Sequence, residues 1–89
     1  MIYLDISIKQ KNDQEYLVTI DEKNSVSDHV VTLDEEYYEK LSNDSPEEFI
    51  KKCFEFLLER EPKEQIMQGF NVEEIKEFFP DFEQEIKKK

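Results

Sequence analysis

The chain predicts an α+β fold: an N-terminal three-stranded antiparallel meander, followed by three to five helices packed on one sheet face. Three observations lead there. The first third alternates apolar and polar residues with a period of two. The remainder repeats apolar residues at helical spacing. Prolines and capping residues punctuate that second part at Ser45-Pro46, Pro62 and Pro80. The 89 residues make a single domain, 1–89, divided into a β-meander (1–33) and a helical part (34–89). A chain this short buries only about 60–65% of its unfolded surface, so its core needs large side chains. Seven Phe and four Tyr supply them.

Residues 2–9, IYLDISIK, set Ile2, Leu4, Ile6 and Ile8 on one face and Tyr3, Asp5, Ser7 and Lys9 on the other. Residues 15–21, EYLVTID, set Tyr16, Val18 and Ile20 together. The polar QKNDQ between them reads as a turn. Pairing Ile8 with Tyr16, Ile6 with Val18 and Leu4 with Ile20 keeps both apolar faces on one side and sets Lys9 against Glu15. A tight Asn12-Asp13 turn would set Ile6 against Thr19, so an odd-length loop is expected. Residues 21–28, DEKNSVSD, read as a polar loop, and 29–33, HVVTL, as the third strand. His29, the only histidine, is expected at the surface of a strand end.

Residues 34–41, DEEYYEKL, read as a short helix capped by Asp34 or Thr32, with Tyr37, Tyr38 and Leu41 on its apolar side. After the break SNDS comes a strong helix start, with Ser45 as cap, Pro46 first and Glu48 third. That helix runs to about Arg60, and its stripe comprises Phe49, Ile50, Cys53, Phe54, Leu57 and Leu58. Phe56 lies off the stripe, so it either meets a second layer or is exposed. Pro62 stops the helix and opens a shorter one over 63–68, for which Gly69 is a left-handed cap. Asn71 with Glu74 starts the last helical stretch. There Val72, Ile75, Phe78, Phe79, Phe82 and Ile86 form an apolar face, broken at Pro80. Lys87, Lys88 and Lys89 suit the negative end of its dipole.

The composition excludes more chemistry than it suggests. A net charge of −11 repels phosphate backbones, which argues against nucleic acid and favours a basic protein partner. Most of the acidic excess lies beyond Leu33. No apolar run approaches the ~20 residues of a membrane span. The lone Cys53 cannot form an internal disulfide, and no basic-then-apolar leader precedes the strand pattern, so a cytoplasmic protein is expected. One glycine cannot build a phosphate loop, and one Cys with one His cannot build a zinc site. No metal or cofactor is expected. Asp21, Asn24 and Asp28 share a loop without the spacing of a calcium site. Cys53, in mid-stripe with no base nearby, reads as a buried small hydrophobe.

The segment FEFLLEREPKEQIMQGFNVEEIKEFFPDFEQEI, together with HVVTLDEEYYEKL upstream, resembles a group of small prokaryotic proteins of unassigned function. Its FLLEREP and FFPDFEQEI parts carry the likeness, which covers residues 29–86. The resemblance implies a compact intracellular domain and supplies no catalytic residue. VVTLDEEYYEKL followed by a helix also resembles ribbon-helix-helix DNA binders, but those need a basic ribbon and this strand is neutral.

Without a catalytic cluster, the expectation is a non-enzymatic protein-interaction or regulatory module. A closely related alternative is an acidic neutraliser of a basic partner, antitoxin-like or mimicking nucleic acid. A small enzyme using paired carboxylates such as Glu73 and Glu74 would need a cleft. The residues expected on a partner surface are Tyr37, Tyr38, Phe56, Arg60, Glu61 and Lys63. Arg60 is also expected to tie the EREPKE corner to a helix end or a carboxylate.

Overall fold

The computed structural model describes residues 4–22 and 25–88. Expectations placed on Ile2, Tyr3, Asn24 and Lys89 lie outside them. The architecture is two-layered, with helices on one face of a four-stranded sheet. Strands β1 (Leu4–Gln10), β2 (Glu15–Glu22) and β3 (Ser25–Thr32) form the antiparallel meander. Helices α1 (Glu35–Leu41) and α2 (Pro46–Arg60) follow. The chain then makes a 3-10 turn, Lys63–Gln65, and enters a short strand β4 (Gly69–Asn71). This strand lies parallel to β3, so the sheet is mixed, in the order β1-β2-β3-β4. Parallel neighbours need a crossover, and α1 with α2 provides it. A second 3-10 turn, Val72–Glu74, leads to α3 (Ile75–Phe78) and α4 (Phe82–Lys87).

The α+β class and the meander agree with the sequence reading, while three details differ. The β1–β2 register is displaced by two residues from the expected one: Ile6 faces Ile20 and Ile8 faces Val18, while Gln10 takes the place opposite Tyr16. The apolar faces still coincide, because a shift of two preserves side-chain orientation. Asn12 causes the displacement. Its carboxamide oxygen accepts from the backbone N–H groups of Gln14 and Glu15, and its nitrogen donates to Glu15 Oε1 at 2.7 Å. That closed loop holds Glu15 away from Lys9. The second difference is β3, which starts at Ser25 inside the expected loop. Its first residues are polar because that end is open to solvent, where even Val26 is 61% exposed. The third is β4. Gly69 is not a left-handed cap: it lies outside that region of backbone space and pairs with Val30.

The core lies between the sheet's covered face and the helices. Tyr16, Val18, Ile20 and Val31 line the sheet side. Helix α2 crosses this floor with Phe49, Ile50, Cys53, Phe54 and Leu57 buried, as its stripe requires. Ser45 caps it by accepting from Glu48 N, and the helix ends at Arg60. Phe56 is also fully buried, because α2 has a second packing surface. Its ring meets Phe82 edge-on at 5.1 Å and Phe79 at 5.9 Å. Asn71 and Glu74 form the expected capping box, and the chain breaks around Pro80 before α4. Phe78, expected on the apolar face, instead stands 62% exposed. Phe78 is the last residue of α3, and the chain turns extended at Phe79, whose ring packs on Phe56 while that of Phe78 stays outside.

Candidate functional site

Of the six residues expected on a partner surface, the structure withdraws several from solvent. Phe56 is buried as described. Lys63 is 3% exposed: its Nζ donates to Ser25 Oγ and, at 2.6 Å, to Glu64 Oε2, with Glu22 3.9 Å away. A lysine is rarely so covered unless paired, and here three polar groups surround the ammonium. Its role is to fasten the turn after Pro62 to the start of β3. Tyr37 is buried and donates its hydroxyl to Glu83 Oε2 at 2.8 Å, linking α1 to α4. Burial, and then the bond to Glu83, push the Tyr37 phenol far above its ordinary pKa. Tyr38 is half-buried, stacks obliquely on Phe49 and donates to the carbonyl of Asp44.

Arg60 closes the corner that the sequence singled out. Its guanidinium lies 3.7 Å from the Phe56 ring centroid, donates to Phe56 O at 3.3 Å and reaches Asp81 Oδ2 at 2.8 Å. The end of α2 is thereby tied to the start of α4. Glu61 alone of the six borders an open apolar surface.

That surface is a groove of about 370 Å3. Leu57, Ile66, Phe70 and Ile75 form its buried floor, supplied by α2, the 66–70 segment and α3. Met67 at 43% exposure and Phe78 at 62% stand beside it, and Glu61 and Gln65 form its polar lip. The groove exists because β4 pulls Phe70 down onto the sheet while Pro80 ends α3 early. Glu61 is the only ionisable side chain that lines it, and its lining residues include no nucleophile and no set of metal ligands. Its chemistry is therefore the desolvation of apolar side chains, with a carboxylate at the mouth to receive a cation. The sequence carried one signal for it: the Phe78-Phe79 doublet stands just before Pro80, where the helix must end and the two side chains part.

Two other places hold potentially reactive side chains, His29 and Cys53. His29 lies in mid-strand and is 2% exposed, not at a surface strand end. Its Nδ1 is 2.7 Å from Met67 O and its Nε2 3.0 Å from Ser27 Oγ. A carbonyl only accepts, so Nδ1 carries a proton, and in the neutral ring Nε2 then accepts from Ser27. The arrangement places a hydroxyl, a base and an orienting group in line, as nucleophilic catalysis requires. The three best-formed cavities are lined by neither Ser27 nor His29, however, and the ring is 2% exposed, so no substrate reaches it as it stands. The ring also packs against Phe54, 5.6 Å between centroids. The histidine is a core residue that pins the 66–68 segment to β3.

Cys53 is completely buried, and burial pushes its thiol pKa well up, which disfavours the thiolate. Among the described residues no carboxylate is buried, and no group of His, Cys, Asp or Glu is placed to hold a metal ion. Among the described residues no helix is long and apolar enough to cross a membrane. No family model, curated protein or solved structure matches the chain, so the functional reading rests on its own geometry.

Proposed function

We propose that this protein is a non-enzymatic interaction module whose groove at Leu57, Met67 and Phe78 takes an apolar segment flanked by basic residues. The carrying observation is the exposed pair Met67 and Phe78 beside an apolar floor on a strongly acidic chain. An apolar patch left open marks a contact surface. Charge selects the occupant: Glu61 sits on the lip, and Glu77 directly precedes Phe78. A net charge of −11 steers basic proteins towards the chain and repels acidic ones. The same field supports the narrower reading, an acidic neutraliser of a basic partner, in which charge rather than the groove dominates.

The test is an NMR titration with a synthetic amphipathic peptide of leucines and lysines. The expected shift changes cluster on Met67, Ile75, Phe78 and Phe79, and Phe78→Ser abolishes them. A glutamate version of the peptide leaves the spectrum unchanged. Shifts spread evenly over acidic surfaces would favour the charge-dominated neutraliser, and a silent groove would sink the module reading.

A further inference from the structure

β1 forms one outer edge of the sheet, and among the described residues no strand pairs with its far side. An open edge is a template for another strand unless it is short, bulged, interrupted by proline or turned inward with charge. β1 is neither short, bulged nor broken by proline, and its edge charges, Asp5 and Lys9, are of opposite sign and can pair with those of an identical edge. It runs unbroken from Leu4 to Gln10, pairs continuously with β2 and points Asp5 and Lys9 to the uncovered face of the sheet. On the covered face, Ile6 and Ile8 are only half-buried, while Ile20 and Val18 opposite them are fully closed off. Helix α2 packs over β1, and its Phe54 reaches inward to His29 on β3 and Phe70 on β4, so the helix covers the face of β1 while the strand's outer hydrogen-bonding edge stays open.

We propose that β1 pairs antiparallel with β1 of a second copy, about a two-fold axis at Ser7, joining the two sheets into one. The strand LDISIKQ is self-complementary in that register. Asp5 falls opposite Lys9 of the second copy, and Lys9 opposite its Asp5, on the uncovered face. Ile6 falls opposite Ile8 of the second copy, twice, and carries the apolar layer across the junction. A slip of one residue would set isoleucines against polar groups. Such an isologous contact is closed: each copy uses its single free β1 edge and leaves none for a third.

Charge also selects this place of approach. Two chains of −11 repel over most of their surfaces, yet residues 4–11 carry only Asp5 against Lys9 and Lys11. The edge is locally basic on an acidic molecule. It is distinct from the groove, which opens between α2, α3 and the 66–70 segment.

Sedimentation velocity over a wide concentration range, with D5K, K9D and the double variant D5K/K9D, tests the pairing. The wild type is expected to pass from monomer to dimer as concentration rises. Either single reversal sets like charges opposite one another at two positions, and is expected to weaken association by roughly tenfold or more. An equimolar mixture of D5K and K9D recovers the dimer, as does the double variant alone. Both positions are exposed, and circular dichroism confirms that each variant is folded. The proposal is overturned by a wild type that stays monomeric throughout. It is equally overturned by single variants that associate as tightly as the wild type, or by a mixture that does not recover. Peptide binding at the groove is read separately, so either proposal can fail alone.

Discussion

Arg60 holds its corner through three contacts that a lysine cannot make together. The planar guanidinium stacks on Phe56 while its two ends reach the Phe56 carbonyl and the Asp81 carboxylate. An ammonium on a flexible stem could keep the ion pair but not the stack. Arg60→Lys is therefore expected to cost about 1–2 kcal/mol. The cost would be read as a lower urea midpoint at unchanged slope. An unchanged midpoint would mean that Pro62 and the backbone hold the corner by themselves. That Arg60 would bond a carboxylate was legible from the cluster EREPKE. Its partner was not, because Asp81 stands 21 positions along the chain. Lys63 and His29 show the limit more sharply. Each has a side chain that belongs at the surface by composition, and each is buried because a partner 38 positions away, Ser25 or Met67 O, satisfies it.

At the scale of elements, α2 was readable at both ends. Ser45 and Pro46 pre-organise its first turn, and Pro62 forbids its continuation past the corner. The stretch KEQIMQG was not readable. Six residues after a proline cannot hold a helix by local bonds alone, since nucleation is costly and the run is short. One 3-10 turn forms, and the rest extends so that β4 bonds to β3 and Phe70 is buried. Gly69 separates the two readings. As a left-handed cap it would lose stability on gaining a side chain. In β4 an added Cβ meets only Val30 O at an ordinary 3.7 Å. Gly69→Ala is thus expected to leave stability unchanged or raise it by about 0.4–1 kcal/mol, by restricting the unfolded chain. A melting temperature that falls by several degrees would show that β4 is misassigned.

For the molecule as a whole, the tyrosines set an alkaline limit. Burial, foremost, raises the phenol pKa of Tyr16, Tyr37 and Tyr38 above the ordinary 10.0, and the Glu83 carboxylate adds to the effect at Tyr37. Above that value the unfolded chain releases protons that the folded chain retains. Stability contributed by the neutral phenols is therefore present below about pH 10 and is lost as the pH rises beyond it. The urea midpoint is expected to fall above that pH, and less steeply in Tyr37→Phe. Equal slopes in both proteins would show that Tyr37 is not the group responsible. The acidic charge, the α+β class, the inward faces of β1 and β2, the start of α2 and the breaks at Pro62 and Pro80 were all determined by the sequence. They depend on periodicity, capping and proline geometry, which act within a few residues. Only the tertiary structure decided the fourth strand, the two-residue register shift, the burial of Phe56, His29 and Lys63, and the groove beside Phe78. Each of those depends on which surfaces meet after the chain has returned upon itself. A side chain's own sequence neighbourhood holds no record of that meeting.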